Sequence, residues 1–137
     1  MVPLFDIRRK FFHFEFFKIH EIYMPIEINC RPPGGAILDM MNYSVDDDLY
    51  RAYAGMIAGV PTDIQLLKKY YCCYLGRKDK HYAYSHNEIL SAFGHNLVEH
   101  DLNPPVFRQA MGIERYIFSS PNEAGILDMA DFVLKKK

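Results

Sequence analysis

Hydrophobic and polar positions change period several times along the chain, and each change marks an element. Residues 11–17 read FFHFEFF. That run is too short and too aromatic for a helix, and it predicts a strand buried on both faces. Residues 25–30, PIEINC, predict a second strand that opens with a proline, where a strand tolerates one. KIHEIYM between them serves as a hairpin connection centred near Glu21. Arg31 to Gly35 reads RPPGG, and paired prolines followed by paired glycines continue neither strand nor helix, so a shaped loop follows. AILDMMNY can begin a short helix. From Asp46 to Val60, the residues Leu49, Tyr53, Met56, Ile57 and Val60 recur at helical spacing. Asp46, Asp47 and Asp48 open that helix, where carboxylates suit the positive end of its dipole.

The second half has a different texture. KYYCCYL from Lys69 to Leu75 predicts a strand, GRKDK a turn, and HYAYS the returning strand of a hairpin. Ser85-His86-Asn87-Glu88 fits a capping box ahead of a short helix that ends at Gly94. NLVEHDL predicts a strand stopped by Pro104-Pro105, and ERYIFS another after Gly112. Ser120-Pro121-Asn122-Glu123 repeats the capping-box pattern with proline in the first helical position. A final helix then runs to about Leu134, with Lys135 to Lys137 suited to its C-terminal end.

Composition adds little that the pattern lacks. The chain has 137 residues, half of them hydrophobic, and a net charge of −1, which is an ordinary globular balance. With no long basic block, it is not expected to bind nucleic acid. No apolar run approaches the roughly 18 residues of a membrane span, so no membrane partner is expected. Three cysteines are odd in number and too few for a disulfide framework, which places the chain in a reducing, cytoplasmic setting. Cys72 and Cys73 are neighbours on a strand and read as small packing residues, as does Cys30. The histidines His81, His86, His95 and His100 show no zinc-ligand spacing.

The two early strands carry the chemistry. Side chains alternate along a strand, so Glu27, Asn29 and Arg31 share one direction, and His13 and Glu15 share another. A hairpin centred near Glu21 sets Glu15 across from Glu27 and His13 across from Asn29. Two opposed carboxylates repel, and a divalent cation between them removes the penalty. Oxygen ligands from two carboxylates and an amide suit magnesium or manganese. Arg31 can hold an anion such as a phosphate beside the metal. Bare strand glutamates are more often simply solvated. His13 is assigned a supporting or packing place rather than ligation.

FHFEFF, the twelve positions from Glu15 to Glu27, and EINCRPPGG together resemble the end of the ATP-grasp domain in carboxylate–amine ligases. Relatives of biotin carboxylase and of the carbamoyl-phosphate synthase large subunit share the pattern, which covers about residues 8–42 here. The resemblance implies that Glu15, Glu27 and Asn29 are metal ligands. It also implies that Arg31 is the catalytic residue contacting the transferred phosphate, with Asn29 and Arg31 as the cofactor-binding pair. It implies ATP as co-substrate, magnesium or manganese as the metal, and a small carboxylate as the substrate, activated as an acyl-phosphate. The RPPGG loop is similar to that of an amino-acid ligase branch, where it shapes the substrate side.

The departures are equally informative. In that family the glycine-rich loop, the ATP-binding lysines and the adenine-contacting hinge all precede this point. This sequence contains neither G-x-x-x-x-G-K-[ST] nor G-x-G-x-x-G. The expectation is therefore an α+β chain with an antiparallel sheet and short helices, the C-terminal portion of an ATP-grasp fold. Residues 1–60 would hold the metal-ligand strands, and residues 61–137 a small α+β C-terminal domain. By itself the chain is expected not to turn over ATP. Without the neighbours that cover these strands in that family, the aromatic strand is expected to be buried in a homo-oligomer. The rival readings are a non-catalytic interaction module and a metal- or phosphate-binding domain that works beside a partner chain.

Overall fold

The structure is a computed structural model and describes residues 10–64 and 66–137. Short helices and two antiparallel sheets make an α+β fold. Two compact units divide it. The first takes its described residues from 10–38 and 47–64, and the second from 39–46 and 66–137.

In the first unit, β1 (His13–Ile19) and β2 (Ile22–Asn29) form a two-stranded antiparallel hairpin. The expected long connection is itself strand: Ile19 pairs with Ile22, and the turn is only His20 and Glu21. His20 takes φ 53°, the left-handed conformation that lets a two-residue turn follow the right-handed twist of the strands. A bulge falls after Glu15, because Glu15 pairs with Glu27 while Phe16 pairs with Pro25, leaving Ile26 unpaired. The expectation of a strand buried on both faces is corrected. Phe16, Phe17, Ile19, Ile22, Tyr23 and Met24 are all exposed, because β1 and β2 are each other's only strand neighbours among the described residues. Aromatic density marked the strand but not its burial.

Past the hairpin, α1 (Ile37–Val45) runs from the first unit into the second. The helix expected from Asp46 starts later, as α2 (Leu49–Ala58), because Asp48 is its N-cap and accepts from the Arg51 amide at 3.0 Å. Gly59 closes it at φ 70°, donating to the Gly55 and Met56 carbonyls.

The second unit centres on a three-stranded sheet in the order β3 (Tyr71–Arg77), β5 (Glu114–Ser120), β4 (Leu97–Leu102). Alternation along β5 turns Tyr116 and Phe118 to one face. There they join Leu75 of β3, Ile89 of α3 (His86–Phe93), and Met129 and Val133 of α5 (Glu123–Leu134) in a buried core. The short helix α4 (Arg108–Met111) leads into β5 through Gly112. The Ser85 capping box is present as expected, with both reciprocal hydrogen bonds made.

Three local expectations are overruled, the first and third by distant partners. HYAYS does not return as a strand. β3 pairs along its whole length with β5, and residues 81–85 keep one bridge, Tyr82 to Lys136. The N-cap of α5 is Asn122, which accepts from the Gly125 amide, while the Ser120 hydroxyl accepts from the Asn122 amide. The cation at the C-terminal end of α5 is buried Arg77 rather than the terminal lysines. Its Nε and Nη2 donate to the Val133 carbonyl at 3.0 and 2.7 Å, and Nη2 also reaches the Tyr84 carbonyl at 2.9 Å. A planar fork satisfies carbonyls that the helix end leaves unpaired.

Candidate metal site on the hairpin

Strand pairing brings the predicted residues together. Glu15 lies directly across from Glu27, and His13 across from Asn29, on one face of the hairpin. The bulge beside Glu15 shifts the alternation of β2, so the same face continues as Phe17, Ile19, Ile22 and Met24 toward the turn. The face is polar at its open end and apolar at its tip.

Among the described residues, His13, Glu15 and Glu27 form a group whose ligand atoms all lie within 4.8 Å of one another. His13 Nε2 stands 3.7 Å from Glu15 Oε1, with the His13 side chain 17% exposed and that of Glu15 52% exposed. His13 Nδ1 lies 3.2 Å from the Arg31 carbonyl, which can only accept, so Nδ1 carries the proton and Nε2 presents a lone pair. Asn29 sits between the acceptors: its amide nitrogen donates to Glu27 Oε1 at 2.6 Å and lies 3.0 Å from His13 Nε2.

Two carboxylates facing one space fit a divalent cation. Asn29 fits less directly, because its amide hydrogens, not its oxygen, face Glu27 and His13. An amide turned about its last torsion would present Oδ1 instead. Arg31 joins the site through its backbone. Its guanidinium folds back, Nη1 donating to the Pro32 carbonyl at 3.0 Å, so it lies along the RPPGG loop. A fork held by one carbonyl keeps free donors for an anion.

His13, given a supporting or packing place from the sequence, lies in one group with the two glutamates. The signal was available: His13 alternates with Glu15 in FHFEFF, and the register that opposes the glutamates also brings the imidazole alongside. What the pattern omitted was the Arg31 carbonyl, a backbone atom that fixes the tautomer. Cys30, expected to pack, is exposed in the bend just past the end of β2.

A second polar cluster lies in the other unit. The His86 and His100 rings stack with centroids 4.2 Å apart, and His86 Nδ1 lies 3.1 Å from the Tyr116 hydroxyl. Burial, then the neighbouring Glu114 carboxylate, push the Tyr116 phenol up to about 12. Burial, then His86, hold His100 below its ordinary value. Tyr116 is part of the core, so this network reads as a satisfied core edge.

No protein-family model matches the chain, and comparison with characterised proteins finds no match. No helix among the described residues is long and apolar enough to cross a membrane.

Proposed function

We propose that this chain supplies the cation-holding strands of an ATP-grasp carboxylate–amine ligase. The observation that carries the proposal is the register of the hairpin, which sets Glu15 against Glu27 with Asn29 bonded beside them. A bare like-charged pair is unfavourable at such a position, and a divalent cation gives it a use. That cation, when bound, supplies neutralisation of phosphate charge.

In this reading ATP passes its γ-phosphoryl group to a small carboxylate, releasing ADP. An amine then attacks the acyl carbon, phosphate leaves, and the surplus proton of the amine goes to solvent. Glu15 and Glu27 hold the cation, Asn29 completes the set after its amide turns, and Arg31 holds phosphate oxygens. A lobe with a glycine-rich loop and lysines provides the remaining nucleotide contacts, so this chain alone is not expected to turn over ATP. Three unpaired cysteines accord with a cytoplasmic setting.

The test is nuclear magnetic resonance with magnesium and ATP added together. Amide shifts confined to residues 13–31, lost in Glu27→Gln, are expected. Shifts elsewhere, or shifts unchanged in Glu27→Gln, refute the reading. ADP release by the purified chain, absent in Glu27→Ala, would refute the need for a second lobe.

A second reading has its own observation. Phe17, Ile22 and Met24 are 64%, 67% and 49% exposed on one face of the hairpin, which suits a homo-oligomer that covers this surface. Light scattering at micromolar concentration decides it, and a strict monomer sinks it.

A further inference from the structure

We infer that His13 Nε2 joins Glu15 and Glu27 as a nitrogen ligand of the hairpin site, so that the site selects a divalent transition metal such as manganese over magnesium. The inference rests on the preceding reading that Glu15 and Glu27 hold a divalent cation.

The arrangement of protons points to it. The Arg31 carbonyl takes the Nδ1 proton of His13, which leaves the Nε2 lone pair to the Asn29 amide, within 4.8 Å of ligand oxygens of both carboxylates. A ring nitrogen fixed in this way by a backbone carbonyl on its other side is the arrangement of a metal-ligating histidine. The carbonyl both sets the tautomer and makes Nε2 a stronger donor.

What now occupies that space is also informative. The Asn29 amide nitrogen lies 2.6 Å from Glu27 Oε1 and 3.0 Å from His13 Nε2. Its two hydrogens serve the acceptor atoms that a cation would take, one from a carboxylate and one from an imidazole. The site therefore collects acceptors of both kinds around a single neutral donor, the Asn29 amide.

Ligand chemistry sets the selectivity. Magnesium is a hard cation that prefers an all-oxygen octahedron and gives up water reluctantly. An imidazole nitrogen lowers its advantage and raises that of borderline metals. Two carboxylates and one imidazole with open positions make a mixed nitrogen–oxygen set, and manganese tolerates it while keeping room for phosphate oxygens.

The experiment titrates the full chain with manganese alone and with magnesium alone, by calorimetry, in the wild type, His13→Ala, Glu15→Gln and Glu27→Gln. The expected result is manganese preferred in the wild type and a loss of about tenfold or more of manganese affinity in His13→Ala, with magnesium affinity little changed. Because oxygen ligands alone also favour manganese to some degree, the decisive number is the change in the manganese-to-magnesium ratio. An unchanged ratio in His13→Ala overturns the inference and leaves the two-carboxylate site standing. Failure of both metals to bind, or binding that survives both Glu15→Gln and Glu27→Gln, overturns the site itself. Pulsed electron paramagnetic resonance of the manganese-loaded wild type guards against a misfolded variant. Nitrogen coupling from a directly bound imidazole is expected, and its absence overturns the inference.

Discussion

Replacing Glu27 by Gln should stabilise the hairpin without metal and destabilise it with metal. Glu15 and Glu27 are a directly opposed pair. Two charges about 5 Å apart in water repel by about 0.8 kcal/mol. Salt at physiological strength, with a screening length of about 8 Å, trims this to about 0.5 kcal/mol. Glu15 is 52% exposed, so the high-dielectric figure is the appropriate one. The substitution keeps the Asn29 bond, because a glutamine Oε1 still accepts from Nδ2. The metal-free hairpin should then open about twofold less often. Manganese at a hundredfold excess over its dissociation constant stabilises the wild type by about 2.7 kcal/mol, which is about a hundredfold in the opening equilibrium. Glu27→Gln should lose most of that protection. Hydrogen exchange of a peptide spanning residues 11–30, followed by mass spectrometry with chelator and with manganese, reads both effects. Faster exchange of the variant in chelator would show that the carboxylates do not repel. Equal manganese protection of variant and wild type would show that Glu27 is not a ligand.

Three further outcomes follow from the rest of the molecule. Gly112 has φ 93°, and a Cβ there would lie 2.8 Å from the Arg77 carbonyl oxygen, so Gly112→Ala should cost roughly 3 kcal/mol and lower the melting temperature by about 10 °C; an unchanged melt refutes it. Alkylation by iodoacetamide at mildly basic pH should label exposed Cys30 first, because burial raises Cys73 and, helped by Cys73, pushes Cys72 up to about 11; equal labelling of all three by mass spectrometry refutes it. His100 is held low by burial and by His86, against the opposing pull of Glu114 and Asp101, so folding favours its neutral form. The stability it adds is present above the unfolded value of about 6.5 and is lost as pH falls through the lower folded value; chemical denaturation of wild type and His100→Gln should diverge across that range, and parallel curves refute it.

Much of the local structure was legible because its causes are local. The Ser85 capping box, the helical spacing from Leu49 onward, and the end of α5 near Leu134 each depend on residues within a turn or two of one another. The opposition of Glu15 and Glu27 was expected from a turn centred near Glu21, but the two-residue turn by itself would set Glu15 against Ile26, and the bulge after Glu15 is what brings Glu27 opposite. The chemistry of that pair, two carboxylates in need of a cation, was in the sequence as soon as the turn was placed near Glu21.

The rest depended on partners far away in the chain. HYAYS had the composition of a strand, but β3 found seven paired positions on β5 some forty residues later, and the local hairpin lost to that ladder. The cation at the end of α5 came from Arg77, although three lysines stood next in sequence, because a buried planar fork reaches carbonyls that flexible exposed chains leave to water. The aromatic run fixed a strand by its composition, yet burial is decided by neighbours, and among the described residues no third strand joins the hairpin. The tautomer of His13 turned on one backbone oxygen, that of Arg31, which stands at 3.2 Å once His13 pairs with Asn29 across the hairpin. Sequence determines which side chains alternate and which turns close, whereas a tautomer depends on an atom every residue possesses, and only tertiary structure says where that atom lies.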